Sequence, residues 1–380
     1  MKKIFFFLLL SLLLLPGMIA LGEAEDMTEQ CTLVFAPASK GKTNLRDGDH
    51  LTVYEGRYLE IIAPEGKPCF GLYLCFSGTD TFYSLQRQNA EGGWETFYED
   101  QRGYVNSYLP LEGLSHFRIA LQSGEKILLS EIALLGEGEI PSWVQDWKDF
   151  EGKADLMVIT AHADDEILFF GGTIPYYAAE QGKKVIVCYM TKQTPCRRNE
   201  LLDGLWLCGV REYPDLGIFP DGKNYSLGDN DAFWGKKKIE QYVTALFRKY
   251  QPDVVVTHDV KGEYGHGAHR STSAAAMKAV ELAADGAYAP ETGEAWQVKK
   301  LYLHLYKENE IIMDWRKPLE AFGGLTAHDV ATAAFDCHAS QKSNGLIVQD
   351  WGQYANNRFG LYFSSVGADI EKQDFFENIP

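Results

Sequence analysis

The chain has 380 residues, 46% of them hydrophobic and 23% charged, values that allow two domains with sizeable cores and exclude wholesale disorder. A formal charge of −17 argues against a nucleic-acid partner, because neutralising phosphates takes a basic surface. Seven cysteines, none spaced C-x-x-C, make no disulfide framework; a single bridge from Cys31 to Cys69 or Cys75 stands open beside a set of buried thiols.

At the N-terminus Lys2 and Lys3 precede an almost unbroken apolar run from Ile4 to Leu15. Pro16 breaks that run, and small residues follow at Ala20, Gly22 and Ala24. This is the pattern of a secretory signal peptide over 1–24, cut after Gly22 or Ala24. It predicts a secreted, extracellular or cell-surface protein with no membrane association after cleavage. The alternative is an uncleaved anchor, against which the short, Pro-broken run speaks. No cysteine near the cut points to a lipoprotein anchor.

From 25 to 145 the pattern predicts an all-β sandwich. Segments such as "CTLVFAP", "YLEIIAP", "FGLYLCF", "FRIALQSG" and "ILLSEIALLG" alternate or cluster apolar residues over strand lengths, with turn signals "DGD", "EGK" and "AEGG" between them. No 3.6-residue period persists. The aromatic residues Phe82, Tyr83, Trp94, Phe97, Tyr98, Tyr104 and Tyr108 are suited either to fill the core or to stack on sugar rings. This half is similar in pattern, without a specific motif, to the β-sandwich modules that accompany secreted carbohydrate-active enzymes, which makes it a possible carbohydrate-binding accessory domain.

The segment "GEIPSWVQDWKDFEGKAD", 138–155, is the expected joint, and from 150 to 380 the pattern changes. "ADLMVITAH", "KKVIVCYMT" and "PDVVVTHD" are continuous apolar runs of strand length. They alternate with the helical segments "EILFFGGTIPYYAAEQG", "RRNELLDGLWLCGV", "KKKIEQYVTALFRKY" and "HRSTSAAAMKAVELAADG". That alternation predicts an α/β fold, a mostly parallel sheet with helices on both faces. Such sheets bind ligands at the carboxyl ends of their strands.

Two chemically dense segments fall at those ends. "AHADDE" places His162, Asp164, Asp165 and Glu166 behind the first apolar strand, and "THDVKGEYGHGAH" places His258, Asp259, Glu263, His266 and His269 behind another. Acids just after a strand also serve as ordinary helix N-terminal residues. Here they face two histidines three apart in the chain, which share a helix face. His162, Asp165 and His269 together offer two imidazoles and one carboxylate, a set that leaves a coordination position open as catalytic zinc requires. A divalent cation also explains how so many acids stay ionised side by side. Ferrous iron accepts the same set.

With these motifs on the page, the region 154–380 resembles the LmbE-like, or PIG-L-type, zinc-dependent N-acetylglucosaminyl de-N-acetylases. The pattern H-P-D-D-E corresponds to "AHADDE" and H-x-x-H to "GHGAH". An R-x-x-E helix start corresponds to Arg197 and Glu200, and "LGIFPDG" and "CHASQ" match later segments. The resemblance implies a Rossmann-like α/β fold and hydrolysis of an N-acetyl group from an amino sugar. It implies that His162, Asp165 and His269 are metal ligands, that Asp164 is the general base for the attacking water, and that His266 stabilises the oxyanion. Arg197, Asp221 and His338 become candidates for substrate binding, with an ion pair to Glu166 or Glu200 as the other reading of Arg197 and packing within its helix as the other reading of His338. His258 is expected behind the ligands.

Two positions depart from the family pattern. Ala163 stands where proline is usual, and Gly267 and Ala268 stand where Pro-Asp is common. The missing Asp orients the first histidine of its motif, so Asp259 or Glu263 is expected to substitute for it at His266. The leading functional expectation is a secreted metal-dependent hydrolase that removes acetyl from N-acetylglucosamine-containing glycans. The alternatives are a non-catalytic extracellular glycan-binding protein and a zinc amidohydrolase acting on a non-sugar N-acyl substrate.

Overall fold

The structure is a computed structural model that describes residues 22–36, 45–77, 81–121 and 126–380. The apolar leader predicted over 1–24 therefore lies outside the described residues except for its last three. Among the described residues no helix is long and apolar enough to cross a membrane.

The first half folds as two antiparallel sheets. Strands β1 (Thr32–Ala36), β3 (Tyr58–Ile62), β8 (His116–Leu121), β5 (Tyr83–Gln88) and β6 (Trp94–Glu99) form one, in that order. β2 (Tyr54–Gly56), β9 (Ile127–Leu135), β4 (Cys69–Phe76) and β7 (Asn106–Leu114) form the other. Alternation sets which side chains go inside. Leu59 and Ile61 of β3 and Phe117 and Ile119 of β8 are buried, while their neighbours Tyr58, Glu60, His116 and Arg118 face outward. The inward residues meet Leu72, Leu74, Leu129 and Leu134 of the second sheet in one shared core. β4 is buried on both faces, because Tyr73, Tyr108, Ala133 and Leu135 on its far side are covered by Val144 of the joint and by Ala24.

The seven aromatic residues divide. Tyr83, Tyr104 and Tyr108 are buried, Phe82 and Phe97 are exposed, Tyr98 lies half-buried against the shared core, and Trp94 lies half-buried beneath the Arg118 guanidinium, 4.4 Å from its ring centre. Cys31 hydrogen-bonds Cys69, and all seven cysteines are free thiols. Cys75 instead contacts Asn106 at 2.9 Å and His50 at 3.4 Å, which leaves Cys31–Cys69 as the pair that sits together.

The second half is a mixed α/β unit built on a six-stranded sheet. The order is β11 (Val185–Tyr189), β10 (Leu156–Thr160), β12 (Val254–Thr257), β13 (Lys300–His304), β15 (Arg358–Ser364) and β14 (Glu310–Ile312). The first four run parallel; β15 pairs antiparallel to β13, and β14 pairs antiparallel to β15. The central strands are buried throughout, so successive residues feed two different cores. Leu156, Val158, Val185 and Val187 pack toward α1 (Asp165–Leu168), α2 (Thr173–Pro175), α3 (Pro195–Leu207) and α7 (Ala327–Asp336). Met157, Ile159, Ile186 and Val255 pack toward α5 (Lys236–Tyr250) and α6 (Gly267–Ala284). In α5 the inward stripe is Ile239, Val243, Leu246, Phe247 and Tyr250, the spacing a one-sided helix requires. α4 (Leu227–Trp234), which precedes it, had no recognised signal in the sequence.

One expected helix does not form as such. The run 166–182 breaks after α1 at Gly171, whose φ is +51°, restarts as the short α2, and continues as a wide π turn over Tyr176–Glu180. The Gly-Gly pair and Pro175, which has no N–H to donate, interrupt the hydrogen-bond ladder. The two halves meet across α3, where Asp203 lies 2.6 Å from Gln145 of the joint and 3.2 Å from His50.

Candidate active site

The loop leaving β10 carries the first motif. Ala161, His162 and Ala163 are buried, and Asp164 turns the chain into α1 with φ +105°. A side chain is rarely found there; such a conformation costs about 1–3 kcal/mol and persists only when its surroundings hold it. Three contacts do so. The Asp164 N–H donates to Glu166 Oε2 at 2.8 Å, and Arg197 of α3 donates to Asp164 Oδ1 at 2.9 Å and to the Ala163 carbonyl. Asp165 follows as the first residue of α1. Its Oδ2 accepts the His162 N–H at 2.8 Å and lies 3.0 Å from His162 Nδ1 and 3.3 Å from His269 Nε2.

The second motif leaves the neighbouring strand β12. His258 Nε2 accepts the Ala161 N–H at 2.9 Å, which ties the two strand ends together. The chain then makes a tight loop in which Gly262, Glu263 and Gly265 all have positive φ. It re-enters at His266, the N-cap of α6, whose Nδ1 accepts the Ala268 N–H at 3.3 Å. An accepting Nδ1 places the ring hydrogen of a neutral imidazole on Nε2. His269 lies in the first turn of α6, and its ring centre is 4.9 Å from that of His266 and 5.4 Å from that of His162.

Burial and neighbouring charge separate the roles of these groups. Burial, then the Asp165 charge, push Asp164 up to about 7, with Arg197 opposing. Asp165 is held well below the usual carboxylate range: burial acts against its charge, but His269 and His162 outweigh burial. His269 is raised to about 10, because Asp165 and Glu263 overcome its burial, and His162 is raised for the same kind of reason by Asp165. His266 goes the other way, down to about 3, through burial and the nearby His162 and His269. The field around His162, Asp165 and His269 thus favours added positive charge, and three residues before His269 it keeps His266 neutral.

These residues fit a divalent metal. His162 Nε2 and His269 Nε2 are buried without a hydrogen-bond partner, although buried ring nitrogens are ordinarily satisfied. Donor atoms about 2.1 Å from a tetrahedral zinc lie roughly 3.3 Å apart, the separation found between Asp165 Oδ2 and His269 Nε2. His162, His266 and His269 offer nitrogens within 4.8 Å of one another, as do Asp165, His258 and His269 with their ligand atoms. His258 Nε2 is engaged by Ala161 and His266 Nδ1 by Ala268. His162, Asp165 and His269, the ligands expected from the sequence, lie together where these two groups meet, and they are the candidates to hold the ion.

A cleft of about 600 Å³ opens over this group, lined among others by Arg197, Asp221, Lys223, Tyr225, Tyr264, Gln341 and Asn344. Asp221 reaches it from the segment before α4, 3.5 Å from His162 Nε2 and 3.6 Å from Arg197, and contact with His162 holds its carboxyl down to about 2. Arg197 pairs with neither Glu166 nor Glu200; helix α3 aims it at Asp164, and Glu200 instead accepts from Ser340. His338 does not reach the cleft. It is fully buried with Nε2 3.3 Å from Glu166 Oε1, packed behind the loop that carries Asp164, so it has no surface for substrate.

The expected substitution at His266 also differs. Neither Asp259 nor Glu263 faces that ring. Glu263 turns inward beneath His269, 2.5 Å from its Nδ1, and also meets His258 Nδ1 at 3.2 Å and His304 Nδ1 at 2.9 Å. His304, at the carboxyl end of β13, was not among the residues singled out from the sequence. Its signal was a histidine closing an apolar strand run, "LYLH".

Comparison with known proteins places this site in a family context. Residues 157–280 match the family described as PIG-L, GlcNAc-PI de-N-acetylase. Over 178 residues the chain is 32% identical to the 1D-myo-inositol 2-acetamido-2-deoxy-alpha-D-glucopyranoside deacetylase of Streptomyces avermitilis, covering 39% of this chain and 60% of that one. The corresponding deacetylase 1 of Catenulispora acidiphila is 32% identical over 175 residues, covering 39% and 54%. The match thus spans less than two thirds of these relatives' own length. Among solved structures, N,N'-diacetylchitobiose deacetylase from Pyrococcus horikoshii superposes with a TM-score of 0.37 at 21% identity, over 50% of this chain and 71% of that one, too distant to carry an argument. Over residues 157–280 the chain is similar to the PIG-L, LmbE-like domain family.

Proposed function

We propose that this protein is a metal-dependent de-N-acetylase that hydrolyses the acetamide of N-acetylglucosamine units in glycans outside the cell. The observation that carries the reading is the pair of buried, unpartnered imidazole nitrogens on His162 and His269 beside Asp165, with a second carboxylate, Asp164, next in the chain. The similarity to deacetylases acting on an acetamido sugar supports the substrate class.

Zinc, or ferrous iron in its place, supplies Lewis acidity toward the amide carbonyl and lowers the pKa of water at the site. The protein's residues do the rest. Asp164, poised near 7, accepts the proton of the attacking water and returns it to the departing amine. Arg197 fixes the Asp164 carboxylate in place through its guanidinium. His266 is neutral and carries its hydrogen on Nε2, so it donates to the developing oxyanion without needing a proton from solvent. Tyr225 and Tyr264 edge the cleft beside His266 and offer rings against which a sugar packs.

The fold reading that accompanies this proposal is a Rossmann-like domain over 150–380 behind a β-sandwich over 25–145 that contacts glycan. The leader is cut on the N-terminal side of Glu23. Glu23 bridges to Glu139 and the Ala24 N–H bonds the Glu139 carbonyl at 2.9 Å, so both belong to the folded body. The test is acetate release from chitooligosaccharides and from peptidoglycan fragments by zinc-loaded enzyme. Release from either supports the glycan assignment. Release only from free non-sugar N-acyl amides overturns it, and glycan binding without release from any amide points to a binding protein.

A further inference from the structure

The buried carboxylate of Glu263 has no part in the proton transfers described above, yet three histidines converge on it. Oε2 lies 2.5 Å from His269 Nδ1. Oε1 lies 2.9 Å from His304 Nδ1 and accepts the Asp259 N–H at 3.1 Å, and both oxygens are 3.2 Å from His258 Nδ1. The side chains of Glu263, His258, His269 and His304 are all fully buried.

We propose that Glu263 is a positioning residue for the metal: it fixes the tautomer and ring orientation of His269, with His258 and His304 holding the carboxylate still. This rests on the metal-dependent reading of the site. A carboxylate accepts hydrogen bonds and donates none, so a neutral His269, the form that ligates a metal, carries its hydrogen on Nδ1 and keeps its lone pair on Nε2. Nε2 is the buried nitrogen without a partner, 3.3 Å from Asp165. His258 obeys the same rule: its Nδ1 faces Glu263 and its Nε2 accepts from Ala161. His304 braces the carboxylate from β13, where its own Nε2 sits 3.1 Å from the Ala355 carbonyl. The rings of His258 and His269 also stack, with centres 4.1 Å apart, so neither turns without the other.

The backbone is shaped for this contact. Glu263 itself has φ +42°, and Gly262 before it has φ +71°. A Cβ at Gly262 would come within 2.5 Å of the His266 carbonyl, so the loop closes only with glycine there. A surface glutamate has no use for such a turn. With Gly267 and Ala268 in place of Pro-Asp, the loop's carboxylate serves the second histidine of the motif rather than the first.

The experiment is the zinc dissociation constant of the full-length protein and of Glu263→Gln and Glu263→Asp, measured by competition with a chromophoric chelator. Circular dichroism of each zinc-free protein checks that it folds. Removing such an outer partner weakens metal binding by about 10- to 100-fold, and that loss is the result expected for Glu263→Gln, with Glu263→Asp recovering part of it. A Glu263→Gln protein that folds and binds zinc as tightly as the parent overturns the inference and leaves the metal reading intact. A parent that takes up no zinc overturns both. Should Glu263→Gln not fold, His304→Asn replaces it: weaker zinc binding supports the bracing, and unchanged binding overturns it.

Discussion

Arg197 reaches both the substrate cleft and the backbone of the catalytic loop, and its replacement decides which contact matters. Arg197→Ala deletes the donations to Asp164 Oδ1 and to the Ala163 carbonyl. The two side chains are only 17% and 9% exposed, so water does not take over the lost contacts. Each hydrogen bond involving a charged group contributes about 1.5–3 kcal/mol. Freeing Asp164 from φ +105° returns about 1–3 kcal/mol of strain. With two such bonds lost, the difference is a net destabilisation of about 2–3 kcal/mol, small enough for the variant to fold. The effect on turnover is larger, because a displacement of about 1 Å at a reacting group costs about 100-fold. The expected outcome is a kcat lower by about 100-fold with KM changed by less than about threefold, since an interaction that serves the transition state alone appears in kcat. Arg197→Lys keeps the charge and loses the fork, so it recovers only part of the activity. Steady-state acetate release with urea denaturation of the same preparations reads both quantities. A variant whose KM rises while kcat holds would show that Arg197 grips substrate and does not position Asp164.

Further predictions concern residues outside the proton-transfer path. His338→Gln removes the imidazole that faces the buried Glu166 Oε1 at 3.3 Å and costs about 1–3 kcal/mol in urea denaturation; KM stays as in the parent, and a raised KM would restore His338 to the substrate site. Glu131 on β9 is raised to about 7 by burial and by Asp47. A carboxyl raised in the folded state contributes stability that is complete below about 4.5 and lost as pH rises through about 7. Glu131→Gln therefore flattens the fall in melting temperature across that window, and an unchanged slope would contradict the assignment. At Gly172 a Cβ would lie 2.6 Å from the Ala327 Cβ and 2.9 Å from the Trp315 ring. Gly172→Ala is expected to cost about 1–3 kcal/mol by overpacking, with Ala327→Gly restoring part of it in a melting experiment.

What the sequence made legible is what local pattern encodes. Apolar runs such as 156–160 and 254–257 read as buried strands because both their faces are covered, and the polar residues behind them fall at carboxyl ends by construction. That His162, Asp165 and His269 lie close together was legible because two such ends are adjacent in a parallel sheet. The partners of those residues were not. Glu263 meets His304 across 41 positions, a contact that exists only because β13 follows β12 in the sheet. Arg197 was read as a substrate contact or as an ion pair with Glu166 or Glu200, whereas the start of α3 lies over the Asp164 loop, a tertiary fact without local signature. His338 stood between two readings, a border of the substrate or a residue packed in its helix; the packing of α7 against α3 puts it behind Glu166. The interrupted helix over 166–182 was hidden by its apolar spacing, although Gly171, Gly172 and Pro175 were visible breakers.

The central claim is that Asp164 moves the proton in an amide hydrolysis organised around His162, Asp165 and His269. It is tested most directly by counting acetate and new primary amine together from an N-acetylglucosamine oligomer, with zinc-loaded parent beside zinc-loaded Asp164→Asn. The account predicts equal amounts of the two products from the parent. It predicts a rate lower by about 10²–10⁴-fold in Asp164→Asn, with the same zinc content. Acetate released as fast by Asp164→Asn as by the parent would contradict the account, as would a zinc-loaded parent that releases neither product.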